Sequence, residues 1–491
     1  MKHSFTIIIT LLITYTITAQ NVGDAVRYSF LPQLNTARSI GVGGSMSPLG
    51  ADISVATVNP AGIAEFRKSE FVIGIGIPQK STDANLNGFI QSESSTGFQL
   101  NNLGIVFAYR PNAPKLRTMN ISIGVNKLAD FSQNIFYSGS SPGTRVERFL
   151  EVSNLRTLDE LDNFEGGLAF DVDLISDDDG DNIYESDFFT FTETVRKEEF
   201  IERSGSLQEL FINLAANYDN KISYGVTLGI PILTFTERKD YLEEDDLFIV
   251  PNFFDFLYTQ NLSTTGGGIN LKGGIIYKVT PKVRVSAAIH SPTWMFLTDE
   301  FSTSLDFFTD DSDEGLVSES PISEFEYRLK TPWRAIAGLG VIYSLGEIKG
   351  FVSGEVEYVD YTANSFDITV NSNDPVDQFF EEDLNNEISN QLNQALNFRL
   401  GTELALSKFR IRAGAAMLQS PYSTSSVFDV DLQLNGGIGW RADKFYVDVS
   451  YNTRNQSENY TPYRLLDASN NQSVSIDQTV NQFALTVGFK F

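Results

Sequence analysis

The chain has 491 residues, no Cys, and 63 acidic against 36 basic side chains, a formal charge of −27. No disulfide framework and no lipidated N-terminal Cys can form, and so acidic a chain repels nucleic acid. Segments 140–206, 239–263, 300–324 and 364–394 hold 39 of the acidic residues and 7 of the basic ones. The acidity therefore belongs to a few insertions in a nearly neutral framework.

Met1, Lys2 and His3, the apolar Thr-rich run Phe5–Ile17 and the small-residue site Thr18-Ala19-Gln20 describe a secretory signal peptide, residues 1–19. The run is too short for a spanning helix, which needs about 20 apolar residues. Residues 20–69 follow, rich in Gly and Ser between Arg38 and Val58. Gly41, Gly43, Gly44, Gly50 and Gly62 permit tight backbone paths, and Asn59-Pro60 marks a turn.

From residue 70 to 491 the pattern changes to fourteen runs of alternating apolar and polar residues, among them 117–139, 207–220, 221–238, 264–279, 282–299, 325–345 and 479–491. Most exceed the roughly 9–11 residues that a tilted strand needs to cross a bilayer, and their even number suits a single-chain barrel. Short links follow the even runs and all four acidic insertions follow odd ones, which sets periplasmic turns against long outer loops. Outward parity collects Leu210, Ile212, Leu214 and Tyr218 in one run and Trp333, Ala335, Ala337, Leu339, Val341 and Tyr343 in another. Tyr109, Tyr218, Tyr277, Trp440, Phe489 and Phe491 mark one aromatic girdle, and Trp294 and Trp333 the other. The inward parity carries Glu355, Glu357, Arg399, Glu403, Arg410 and Arg412, expected to pair across strands.

The expected fold is all-β, a 14-stranded antiparallel transmembrane barrel spanning 70–491. Fourteen strands enclose a lumen that wall side chains alone cannot fill, since about eight is the limit for that. Residues 20–69 are the candidate plug. Within them Ala37–Phe71, "ARSIGVGGSMSPLGADISVATVNPAGIAEFRKSEF", resembles the N-terminal hatch of the FadL/OmpP1/TodX family of outer-membrane transporters of hydrophobic compounds. The resemblance implies a ligand captured at the outer mouth, an interior site beside the hatch, and sideways release near a kinked third strand. It places Asn59, Pro60, Ala61 and Gly62 at the gate.

Asp246–Tyr258, "DLFIVPNFFDFLY", is apolar although it reads as a surface loop. Phe248, Ile249, Val250, Phe253, Phe254, Phe256 and Leu257 there form either packing against a neighbouring loop or a capture groove for an apolar ligand. Asp374-Pro375 opens a helix with Val376, Phe379, Phe380, Leu384, Ile388 and Leu392 on one face, placed as a cap over the mouth. Asp177, Asp179 and Asp181 have calcium-loop offsets, but Ile175 and Ser186 stand where an EF-hand needs acidic ligands, which favours a solvated tip. After signal removal the lone His290, beside Ser291, is a poor basis for hydrolytic chemistry.

The reading is thus a non-enzymatic monomeric channel without cofactor, taking up fatty acids or aromatic hydrocarbons passively. Its other partners are outer-membrane lipids and, through Phe491, the barrel-assembly machinery. A barrel of the same fold carrying or anchoring secreted proteins, and a general porin, are the alternatives.

Overall fold

The computed structural model describes residues 20–32, 35–186, 194–250, 253–309, 315–370, 374–424 and 430–491; the expected signal segment lies outside them. One antiparallel sheet closes on itself where β1 (Glu70–Leu86) pairs with β20 (Val474–Lys490), from Glu70↔Lys490 to Asn85↔Ser475. Among the described residues, twenty strands make fourteen staves, because four staves are broken in two and two short strands lie beside the wall. The second is β2 (Phe89–Thr96) with β3 (Gln99–Tyr109), and the third is β4 (Leu116–Asp130) with β5 (Gln133–Pro142). Then come β6 (Thr194–Tyr218), β7 (Ile222–Glu244) and β8 (Asp255–Lys278). β9 (Val283–His290) and β10 (Trp294–Phe308) form the seventh, to whose upper end the short β11 (Leu316–Glu319) pairs. β12 (Ser323–Lys330) and β13 (Arg334–Leu345) form the eighth, and β14 (Ile348–Asp360) the ninth. A short β15 (Ser365–Asp367) lies against β12, and β16 (Gln394–Leu406), β17 (Phe409–Gln419), β18 (Val430–Arg441) and β19 (Phe445–Tyr460) lead to β20.

The alternation sorts side chains as the pleat requires. Along β7, Tyr224, Val226, Leu228 and Ile232 are exposed outward, while Ser223 and Thr227 are buried inward. Tyr109, Tyr218, Tyr277, Phe489 and Phe491 are exposed at one rim of this band and Trp294 and Trp333 at the other. The link between β6 and β7 is tight because Asp219 and Asn220 take φ of 52° and 54°, which their short polar side chains tolerate.

The fourth, fifth and sixth staves run past the band. The sequence starts the fourth stave at 207 and the sixth at 264 and ends the fifth at 238, whereas the structure starts them at Thr194 and Asp255 and ends the fifth at Glu244. Beyond Ile232 the outward positions of β7 become Thr234, Thr236, Arg238 and Asp240, so the apolar period stops while the ladder continues. The end of the acidic segment 140–206 and much of 239–263 are therefore strand, and Phe256 and Leu257 lie on β8 rather than in a loop.

Two breaks have a local cause. Pro292 between β9 and β10 and Pro332 between β12 and β13 have no N–H for the ladder, and the paired breaks are sewn by Thr331 N to Thr293 O at 3.0 Å. The break in the third stave, at Phe131-Ser132, contains neither Pro nor Gly.

Candidate functional site

The segment before β1 fills the lumen as short elements. α1 (Val22–Ser29) opens on a reciprocal cap: Asn21 Oδ1 accepts from Asp24 N at 3.1 Å, and Asp24 accepts from Asn21 N at 3.0 Å. α2 (Ala37–Gly41) and the 3₁₀ turns Ile53–Thr57 and Pro60–Glu65 follow. Elements this short do not hold themselves, and their carbonyls are bound by inward wall side chains. Thr118 donates to Ala64 O at 2.7 Å, Asn120 to Ile63 O at 2.7 Å and Phe66 O at 3.0 Å, and Thr227 to Ala56 O at 2.7 Å. His290 Nε2 stands 2.8 Å from Val58 O, and the Ser291 hydroxyl donates to Pro292 O. These two side chains are turned to separate tasks.

Asn59, Pro60, Ala61 and Gly62 are all buried at the centre of this docking. The expected turn is instead a 3₁₀ start, because Asn59 Oδ1 accepts from Ala61 N at 3.2 Å and Pro60 occupies the first position, where no N–H is needed. Asn59 Nδ2 donates to Ser47 O and Ser47 Oγ, each at 3.1 Å. The wall opposite is glycine by steric need: a Cβ on Gly274 would overlap Asn59 Oδ1, and one on Gly225 would stand 2.5 Å from Pro60 O.

Five of the six inward charges fall into two groups, each tied to the N-terminal segment. Arg399 binds Glu357 at 2.8 Å and Glu355 at 3.3 Å, and Arg334 binds Glu357 at 3.0 Å. Glu355 also accepts from Ser47 N at 3.1 Å, and Arg334 donates to Ser29 O. In the second group Arg412 joins Glu403 at 2.7 Å to Asp448 at 2.8 Å, and Arg38 of α2 approaches Glu403 at 3.4 Å. Arg410 stands apart at 3.9 Å from Glu403 and gives its Nη1 to Ser407 O and Phe409 O. Sequence reasoning did not single out Arg38 and Glu65; Glu65 pairs with Lys278 at 2.9 Å and Arg284 at 3.4 Å. The signal was present, since these are among the few charges of a Gly- and Ser-rich segment.

At the third-stave break the wall changes character. The β3–β4 ladder ends at Asn102↔Asn126, and among the described residues β5 pairs only with β6. Side chains lace the interval: Lys127 donates to Gln99 Oε1 at 2.6 Å and to Asp130 at 2.8 Å. Lys80 from β1 binds Asp130 at 2.7 Å and the freed carbonyl of Ser132. Behind this seam lies a cavity of about 1040 Å³.

The outer loops build a second core. α3 (Val146–Ser153) and α4 (Gly166–Asp171) pack Phe149 and Leu168 with Tyr258 and Phe307. Val250, Phe253 and Phe256 are buried there, Leu257 is half-buried, and Phe248, Ile249 and Phe254 are exposed. The Arg145 guanidinium lies 4.1 Å from the Tyr258 ring centre and 3.3 Å from Glu165. Burial and then the nearby Glu243 carboxylate push the Glu147 carboxyl up to about 7. A raised folded value means that the docked α3 favours the protonated acid, so stability present at low pH is lost as pH rises toward and through 7. Hydrogen exchange of 146–153 is therefore expected to be faster at pH 8 than at pH 5 after correction for intrinsic rates, and Glu147→Gln to abolish the difference.

α5 (Pro375–Gln391) starts at Asp374, which accepts from Val376 N at 2.9 Å. It buries Leu384 and Ile388, with Leu392 just beyond its end, in one cluster with Val22 and Ala25 of α1 and half-buried Phe380 against it, leaving Val376 and Phe379 exposed. The Asp177, Asp179 and Asp181 carboxylates converge within 4.8 Å. They accept backbone N–H groups of their own turn, Gly180 and Ile183 among them.

No protein-family profile and no curated protein sequence matches the chain. Among solved structures it is similar to a FadL homologue of Pseudomonas aeruginosa, with TM-score 0.55 and 11% identity over 93% of this chain and 98% of the other. It is likewise similar to the toluene transporter TodX of Pseudomonas putida, with TM-score 0.50 and 12% identity over 93% and 98%. Over nearly its whole length, this chain therefore has the fold of the FadL and TodX barrels.

Proposed function

We propose that the protein is an outer-membrane channel for passive uptake of small hydrophobic molecules, gated by the N-terminal hatch and releasing its cargo sideways. The observation that carries this reading is a lumen closed by a docked segment next to a wall seam held by side chains instead of ladder bonds. A closed pore with a lateral seam suits a cargo that leaves into the bilayer, and the outer apolar residues Phe248, Ile249 and Phe254 offer a first contact. The solved neighbours support it, one being described as a toluene transporter. Uptake of labelled laurate and toluene by intact Gram-negative cells, with and without this protein, tests it. Equal uptake would overturn it, and co-purification of secreted proteins from intact cells would favour the carrier reading instead.

Membrane insertion has its own test. Leu214 is exposed in the middle of the apolar outer band of β6. Leu214→Arg is expected to cost about 2–4 kcal/mol of unfolding free energy in lipid vesicles, the range for a cation at the bilayer midplane. A neutral or stabilising effect would place that band in water.

A further inference from the structure

The charge of this acidic chain is sorted by rim. The four acidic segments lie at the end of the barrel with the long loops, and the rim of short turns is basic. Each of the six short turns presents an exposed lysine: Lys115, Lys221, Lys282, Lys349, Lys408 and Lys444. Arg67, Lys68, Arg110 and Arg117 are exposed beside them, whereas Glu347 and Asp443 are the exposed acids of those turns and Asp219 is half-buried. None of the six lysines is in an ion pair among the described residues. Unpaired cations gathered on one rim of a chain whose formal charge is −27 call for an anion from outside it.

Their placement selects the kind of anion. The turns are spread round the whole circumference, so the cations form a ring and not a pocket. A single solute or an acidic protein would engage one sector of that ring, while a membrane surface meets every turn at once. The depth fits as well. Exposed aromatics adjoin the cations in sequence, Tyr109 before Arg110, Phe409 after Lys408 and Phe445 after Lys444, and the Lys115 ammonium is 5.9 Å from the centre of the exposed Tyr218 ring. Such rings mark the headgroup level, and a lysine stem reaches from there to a phosphate. At the upper rim, by contrast, the outward cations Arg328 and Lys330 stand among the exposed acids Glu300, Glu324 and Glu326.

We infer that the ring holds the anionic headgroups of phospholipids, phosphatidylglycerol being the simplest, in the periplasmic leaflet. The inference rests on the reading of the chain as an outer-membrane barrel. Each Lys or Arg close to an anionic leaflet adds to the attraction, and salt weakens it.

The three tryptophans of the chain read the two rims separately. Trp440 is opposite Phe409 in the ladder, and its ring centre is 5.2 Å from that of Phe445, which puts it beside Lys408 and Lys444 in the wall. With Trp294→Phe and Trp333→Phe in the full chain, Trp440 is the fluorophore in phosphatidylcholine vesicles that carry either brominated phosphatidylglycerol or brominated phosphatidylcholine. The anionic quencher is expected to reach half-quenching at about half the mole fraction of the neutral one or less. Lys408→Gln with Lys444→Gln is expected to remove that difference, and so is high salt with both lysines intact. In the Trp440→Phe chain, Trp294 and Trp333 should be quenched equally by the two lipids. Equal quenching of Trp440, a preference that neither the lysine variants nor salt changes, or an equal preference at the upper pair overturns the inference. Quenching of no tryptophan by either lipid would sink the membrane reading and the ring with it, whereas equal quenching sinks the ring alone.

Discussion

Replacing Gly225 and Gly274 together by Val is expected to leave the barrel folded and to make it conduct ions. Each added side chain enters space that Pro60 O and Asn59 Oδ1 now fill. Overpacking costs about 1–3 kcal/mol per site. Two sites therefore oppose docking by about 2–6 kcal/mol, which raises the undocked population at least tenfold. The ladders of β7 with β6 and β8 remain, since both glycines present their new atoms to the lumen. Gly273→Val, one residue away with nothing within 4 Å of its added Cβ, is the matched control and should stay closed. Stepwise openings in planar bilayers for the double variant, absent from the control, would establish the hatch as the closure. Deleting Asn59–Gly62 removes the same contacts from the other side and should give the same leak. A silent bilayer in both cases would mean that something other than this segment seals the pore.

The barrel was legible because its signal repeats: fourteen alternations, short links on one side, and a two-sided sorting of aromatic and charged residues that a bilayer requires. It stopped being legible where the outward face of the wall turns polar. From Thr234 to Asp240 the outward residues are polar although the strand continues, so nothing in the pattern separates strand from loop. The seam was not legible from local chemistry either. Phe131-Ser132 sits inside a run that reads as one strand, and its break reflects the partner lost across the wall, which only the fold reveals. Pro292 and Pro332 lie inside the runs 282–299 and 325–345, whose alternation passes through both, so the sequence reading left those staves unbroken.

The site followed the same division. Glu355, Glu357 and Arg399 were visible as inward charges of both signs on neighbouring strands, and the register brings them together as Glu355↔Arg399. Their attachment to Ser47 and Ser29 was not visible, because a docking segment without periodicity offers no register from which to count. The cavity was hidden most deeply. Arg27, Lys80, Arg203 and Arg454 come from one helix and three strands far apart in the sequence, and each by itself is an ordinary cation.

The charge network allows the sharpest energetic test. Arg399 is the cation that holds Glu355 and one of two that hold Glu357, all three side chains being buried. Arg399→Met is expected to lower unfolding free energy in lipid vesicles by about 3–5 kcal/mol at neutral pH, the cost of stranding a buried charge. Adding Glu355→Gln should recover part of that loss, because a neutral amide oxygen can still accept from Ser47 N and no longer needs a cation. The coupling in the double-mutant cycle should lie between about 0.5 and 3 kcal/mol, as for directly paired groups. If the two losses simply add, the pair contributes nothing as a pair, and the network is a set of independently solvated charges. If coupling is found, the same variants separate two roles: Glu355→Gln keeps its bond to the hatch while Arg399→Met leaves that bond to a stranded carboxylate. Conductance compared between them then shows whether wall charges hold the barrel together, hold the hatch in place, or do both through Ser47.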